Sequence, residues 1–394
     1  MNLRCLILVG ALGCSQTTEL LPGDVSCSFP GPAIHLGGTD DSRCAGVLSA
    51  RRGQYALCSC GDLVVTGALA VGNTLLPARP PDPSAPPRPP GPPPSPGPLG
   101  AVGVDGYLLA LGPTLLEGSL IVAGDEGIRL DGGHLSRTTR SGGVIQTLKP
   151  MRAVLDVFAV GGMSGPYSVG GTLHVPAGAL VAPEVMAALV TREPVTVSPP
   201  CQCGAADTVD VRAAVQERAT INANASARFV RAFDSQVDSN HVFDWPCGEF
   251  HLPEIRTGPQ SSLEFRIHGR VGIFVAGDVR LGNNLSVTLD PGSTLDLVVG
   301  GSFFTEGRVF GSPMSPAAVR LWVGSTTVSL PDQIQFGALV YAPQAVFSAG
   351  VGAIVYGNLF VQTLAVSADV KIRHDPDAAL AGQTCGAAPP PAIP

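Results

Sequence analysis

Between residues 263 and 374 the chain is built from short apolar runs, each closed by glycine or another small residue. They read Ile273-Phe274-Val275-Ala276-Gly277, Leu297-Val298-Val299-Gly300, Leu321-Trp322-Val323-Gly324, Leu339-Val340-Tyr341-Ala342 and Ile354-Val355-Tyr356-Gly357. Their closing residues lie 23, 24, 18 and 15 positions apart. Runs of this length, rich in β-branched and aromatic residues and bounded by turn formers, are strands. Recurrence at coil-sized intervals is the mark of a solenoid, in which each coil buries a narrow apolar core against its neighbours. The corners then take Gly, Asn or Asp, which tolerate backbone angles outside the β region. The expectation is an all-β chain forming a right-handed parallel β-helix. A β-sandwich or jelly roll, which also spaces short strands evenly, is the competing arrangement.

The same pattern runs more loosely over 58–200, as in Ser119-Leu120-Ile121-Val122-Ala123-Gly124 and Gly171-Thr172-Leu173-His174-Val175. It is broken at 77–98, where 13 of 22 residues are proline. No sheet or helix tolerates that density, so an inserted polyproline-like loop is expected at one turn. Residues 207–230 change period. Val211, Ala214, Val215 and Ala219 recur at helical spacing, and Asp207 or Asp210 can cap the start. One short helical excursion is expected there, within its first half. The resulting divisions are a signal segment 1–13, a cysteine-containing segment 14–57, an N-terminal β-helical part 58–200, a disulfide-braced helical insertion 201–250, a C-terminal β-helix 251–380 and a Pro/Ala-rich tail 381–394.

The chain starts with Arg4 ahead of a short apolar stretch that ends Ala11-Leu12-Gly13-Cys14. That is the shape of a secretory signal, too short to span a bilayer. Cysteine usage agrees with export. Setting aside Cys5 and Cys14 leaves Cys27, Cys44, Cys58, Cys60, Cys201, Cys203, Cys247 and Cys385, an even set suited to disulfides. Two Cys-x-Cys-Gly units, at Cys58 and Cys201, are too tightly spaced for a zinc knuckle and have no histidine at finger spacing. Pairing is not readable from spacing. A bond from Cys201 or Cys203 to Cys247 would staple the helical excursion at both ends, and is the pairing expected.

Composition narrows the function classes. With Gly 49, Pro 37 and charged residues at only 14%, the chain is neither a coiled coil nor a collagen. A net charge of −7 disfavours nucleic-acid binding. The seven histidines are scattered, so no metal or cofactor is expected. His241, Asp244, Glu249 and His251 form the one local concentration of acid and imidazole, a candidate ligand cleft or a polar cap. Asp278, Asp290, Asp296, Asp332 and Asp369 read mainly as turn formers beside Gly or Pro. A glycosidase needs two carboxylates facing one another across the scissile bond. Asp278 and Glu306 come nearest, without convincing register. No catalytic residue is assigned.

The box Phe336-Gly337-Ala338-Leu339-Val340-Tyr341-Ala342-Pro343, its near-repeat Gly352-Ala353-Ile354-Val355-Tyr356-Gly357, and the closing Val370-Lys371-Ile372-Arg373-His374-Asp375 resemble a family of exported, myxobacterial-type β-helical proteins. Ala11-Leu12-Gly13-Cys14 likewise resembles a bacterial lipoprotein processing site, with Ala11 where such sites prefer Leu. These resemblances imply a lipidated Cys14 held in outer-membrane lipid, or else secretion. They imply a non-catalytic surface or envelope protein with a structural, adhesive or assembly role, whose partner is a glycan or an envelope protein. A polysaccharide-active or polysaccharide-binding β-helix is the alternative.

Overall fold

In the computed structural model the described residues are 18–20, 30–37, 44–73, 100–204, 207–226 and 240–378. Strands pair in parallel throughout, each coil giving one strand to each of three stacks, A, B and C. Long strands such as Leu263–Val275 turn a corner and so belong to two stacks, pairing with Leu285–Leu289 on A and Thr294–Val299 on B. Alternation sets the inside. In Val279–Leu281, Phe303–Thr305 and Val328 the inward residues are buried, and Phe303, Phe310 and Phe336 interlock in the core. This is the expected parallel β-solenoid, and the sandwich is excluded by the uniformly parallel register.

The order of coils along the axis differs from the order in the chain. His241–Leu252 lies at one end, with Thr18–Leu20 paired on its A edge. The stack then climbs through 263–374. Val370–His374 next pairs with Leu69–Asn73, and Leu359–Val366 pairs with both Tyr55–Ser59 and Leu63–Val65. The N-terminal coils therefore sit on top of the C-terminal ones, and the far end is Val185–Arg192. One coil is composite: Val370–His374 supplies its A side, Tyr55–Ser59 its B side and Leu63–Val65 its C side. The β-stack begins at His241, ten residues before the expected boundary at 251. The Pro-rich segment falls outside the described residues, and its flanks, Leu69–Asn73 and Ala101–Val104, are successive sides of one coil.

The composite coil is fastened by polar contacts between residues some 300 positions apart. Ala68 N donates to Asp369 Oδ1 at 2.7 Å, and Asn358 Nδ2 donates to the carbonyls of Gly53 and Tyr55. His374 is buried beside Gly53 O at 3.2 Å, and burial lowers its pKa against the opposing pull of that bond and of Asp375. Gly67 lies so close to the backbone of Ala368 that a Cβ would stand 2.3 Å from its carbonyl carbon. Gly67→Ala is therefore expected to cost about 1–3 kcal/mol through forced separation of the two stacks. Gly178→Ala, whose Cβ would meet nothing within 4 Å, is the unaffected control in the same denaturant titration.

Between the two stacks in sequence, the chain must return from the far end to the near end. Residues 193–200 leave the last coil and reach Cys201 and Cys203, which bond Cys58 and Cys60. The two Cys-x-Cys units thus bond one another across the composite coil, correcting the expected bond to Cys247. The reason is register. The two units lie alongside one another with Cα–Cα 5.6 Å at both bridges, and Gln202, at a left-handed φ of 49°, sits between Cys201 and Cys203. Cys44 and Cys247 each take part in a further disulfide; Cys14, Cys27 and Cys385 lie outside the described residues. Beyond Cys203 comes the helix Val211–Arg218 (α2, the second of two α-helices among the described residues), capped by Asp210 Oδ1 accepting from Ala213 N at 3.0 Å. The first helix, Ala45–Arg52 (α1), was not expected from sequence, where Gly46 interrupts the pattern.

Candidate functional site

A continuous line of outward-facing positions runs up stack B. Register connects His251, Phe274, Val298, Trp322, Tyr341, Phe360 and Cys58 in successive coils. It continues through Gly103, Ile121, Arg140, Phe158, His174 and Thr191. Outward positions of a solenoid normally meet water, yet Phe274 to Phe360 are buried. Their cover is α2, whose Val211, Ala214 and Val215 face them, together with Ile34, Leu36 and Ala45. Trp322 tilts against Tyr341 at a centroid distance of 5.1 Å, and Tyr341 stacks on Phe360 at 5.2 Å. Tyr341 takes a hydrogen bond from Val209 N at 2.8 Å, fixing the approach to α2.

One position to the side, this covered layer holds charge. Asp296, fully buried, accepts from Arg320 Nε at 2.7 Å and Nη2 at 2.5 Å, and from Trp322 Nε1 at 2.9 Å. Arg320 and Trp322 come from the next coil, in register with Asp296 and Val298. Arg270, one coil earlier, has its pKa lowered by partial burial and by the charge of Arg320. Above the pair lies a narrow slot between stack B and the end of α1, walled by Ser49, Gly53, Leu339, Asn358 and Phe360. The carboxylate neutralises the guanidinium, so the slot, walled mainly by Trp322, Leu339, Tyr341 and Phe360, presents little net charge. Asp296 is thus a buried acceptor and not the turn former expected from sequence. Its sequence context, Leu295-Asp296-Leu297 with no Gly or Pro adjacent, is the signal that sets it apart.

At the near end of α2, Arg218 occupies the buried face where Ala219 was expected. Its Nε lies 2.5 Å from Glu249 Oε2, and its guanidinium lies over Phe274. Burial raises the pKa of Glu249, and Arg218 and His35 pull it back. Ala223 N donates to Glu249 O, while Asn224 bonds both the N and the O of His251. The candidate cleft of His241, Asp244, Glu249 and His251 is therefore divided. The strand His241–Leu252 turns a corner near Cys247, putting the first two residues on stack A and the last two on stack B under the strap, the segment 193–226 that returns from the far coil.

Asp244 instead joins a clamp on the outside of stack A. His268 places Nδ1 at 2.8 Å from Asp290 and Nε2 at 3.3 Å from Asp244, so three coils are tied through one ring. Glu264 and Arg266 pair beside it at 3.0 Å. Partial burial opposes the charge on His268, but the bonds and charges of Asp290 and Asp244 outweigh it and raise the pKa. Both ring nitrogens can donate only in the imidazolium form. A raised folded-state pKa gives stability that is full below the ordinary histidine value and is lost as pH rises through the folded value. The melting-temperature difference between the native chain and His268→Gln is therefore expected to be larger at pH 5 than at pH 9. His251 and His374, lowered by burial, act in the opposite sense, which the difference between the two proteins cancels.

The remaining aspartates hold corners. Asp278 accepts from Ser302 N, Asp332 from Val351 N, Asp156 from Thr172 N and Asp62 from Tyr107 N, each a residue of the adjoining coil. The Ser302 bond, with the Arg280 guanidinium, holds Asp278 below the usual carboxylate range. Glu306 sits at another corner, after Phe303–Thr305, and does not face it.

A family model for a domain of unknown function, DUF7305, matches residues 211–381. No curated protein and no solved structure matches the chain. The match begins at the first residue of α2 and runs past Val370–His374. What the chain shares with that domain is thus the C-terminal coils together with the helix that covers their aromatic line.

Proposed function

We propose that the protein is an exported scaffold of the cell envelope, held by lipid at Cys14 and working through binding or assembly, with no catalytic centre. The observation that carries this reading is the double bridge Cys58–Cys201 and Cys60–Cys203, which persists in an oxidising compartment and is uncommon in the cytosol. A rigid stack of coils adds long, fixed surfaces at small entropic cost. A polysaccharide-active role draws less support. The corner aspartates are occupied by backbone donors, and Phe158, the aromatic on the uncovered part of the line, has Arg140 on one ring face and His174 stacked on the other. The test is non-reducing peptide mapping and fatty-acid-analogue labelling of protein from the native cells, with protease shaving of intact cells. The expected result is both bridges intact, label on Cys14 and loss of the protein on shaving. Cytosolic protein with the four thiols reduced would overturn the reading.

A further inference from the structure

We infer that the solenoid stands with its His241–Leu252 coil toward the lipid surface and its Val185–Arg192 coil pointing away. The inference rests on the proposed lipid at Cys14 and adds to it an orientation and a membrane-facing end. Thr18 pairs with His241, Glu19 with Val242 and Leu20 with Phe243, so the first described residues of the chain join the body at the edge of that coil. Four residue steps separate Cys14 from Thr18, and they reach at most about 14 Å whatever their conformation. The thirteen positions of the outward line on stack B, from His251 to Thr191, mark thirteen coils. At the strand spacing of about 4.8 Å the stack is about 58 Å long. A tether of that reach holds one end against lipid and leaves the other several nanometres distant.

The two ends are finished differently, in keeping with this. The near coil is closed on stack A by Thr18–Leu20 and on stack B by Ala223 and Asn224. The far coil has no described strand beyond it and exposes Leu180, Met186 and Leu189. An apolar far tip is the competing lipid contact, and the short tether at the opposite end is what argues against it.

The experiment uses the lipidated full chain in vesicles of phosphatidylethanolamine and phosphatidylglycerol carrying an acceptor dye on the headgroup. A donor is attached through an unnatural residue at position 254 or at position 178. Glu254 and Gly178 occupy the same corner of the stack, eleven coils apart, after the stack-B segments that end at Leu252 and Val175. Energy transfer from position 254 is expected to exceed that from position 178 several-fold. Equal transfer would mean that the stack lies on its side, and stronger transfer from 178 that the apolar tip faces lipid; either overturns the orientation alone. Absence of fatty-acid label at Cys14 overturns the anchor and the orientation with it.

Discussion

Replacing Asp296 with alanine is expected to destabilise the chain by about 3–5 kcal/mol, the largest effect of any single substitution away from the core aliphatics. The carboxylate is fully buried and gathers three donors, two from Arg320 and one from Trp322. Without it, Arg320 is left as a buried, uncompensated charge beside Arg270, and Trp322 Nε1 loses its acceptor. The cost comes from stranding the partner rather than from the strength of the pair, since two charges taken out of water nearly cancel their own attraction. The control follows from that argument. Asp296→Leu combined with Arg320→Met keeps volume and removes both charges, and should recover most of the loss. Guanidinium midpoints of the three proteins decide the matter, and a double variant no better than Asp296→Ala would refute it. Because Trp322, which loses its acceptor, packs under α2, the single variant should also make 207–226 more susceptible to proteolysis.

Much of the fold was legible because a solenoid writes its period into the chain. Val299 and Val323 close strands of neighbouring coils on stack B, and the glycines after them mark the same corner, which the next strand turns after Ala342 without ending. Periodicity says nothing about which coil sits on which, however. Parallel coils carry similar residues, so Leu57 can pair equally well with a residue of its own half or with Leu359. The reversed order of the two stacks depends on contacts such as Asp369 with Ala68, a single hydrogen bond between two unremarkable turns. The helix α2 was visible from its apolar spacing, but its job was not. Outward residues Phe274, Trp322, Tyr341 and Phe360 read as strand residues in either direction, and only their burial beneath Val211, Ala214 and Val215 distinguishes them. The candidate cleft around Asp244 and Glu249 is divided for a related reason. Five positions along a strand are close in sequence, yet a corner near Cys247 sends the two side chains to different faces.

The disulfide pair should behave as one fastening and not as two. Cys58–Cys201 closes a loop spanning 143 positions, and in the chain-entropy account such a closure contributes about 5 kcal/mol by restricting the unfolded state. Cys60–Cys203 closes a loop of the same span, but once either bridge exists the other joins residues already held two positions away, and its further entropic contribution is about 1 kcal/mol or less. Serine at Cys58 and Cys201 alone, or at Cys60 and Cys203 alone, is therefore expected to shift the unfolding midpoint little. Serine at all four should lower stability by about 5 kcal/mol, far beyond the sum of the two pairs. The loss has a location as well as a size. Cys201 and Cys203 fasten the returning strap at the composite coil, where Cys201 N also donates to Asp105 Oδ1. Freed there, the strap is still held farther along, by α2, by the Val209 N bond to Tyr341 and by the Asn224 contacts. Limited proteolysis of the four-serine protein should cut first within 193–210, while the β-coils on either side resist. Additive midpoint shifts, or first cuts inside the coils, would show that the bridges brace the stack itself and not the strap.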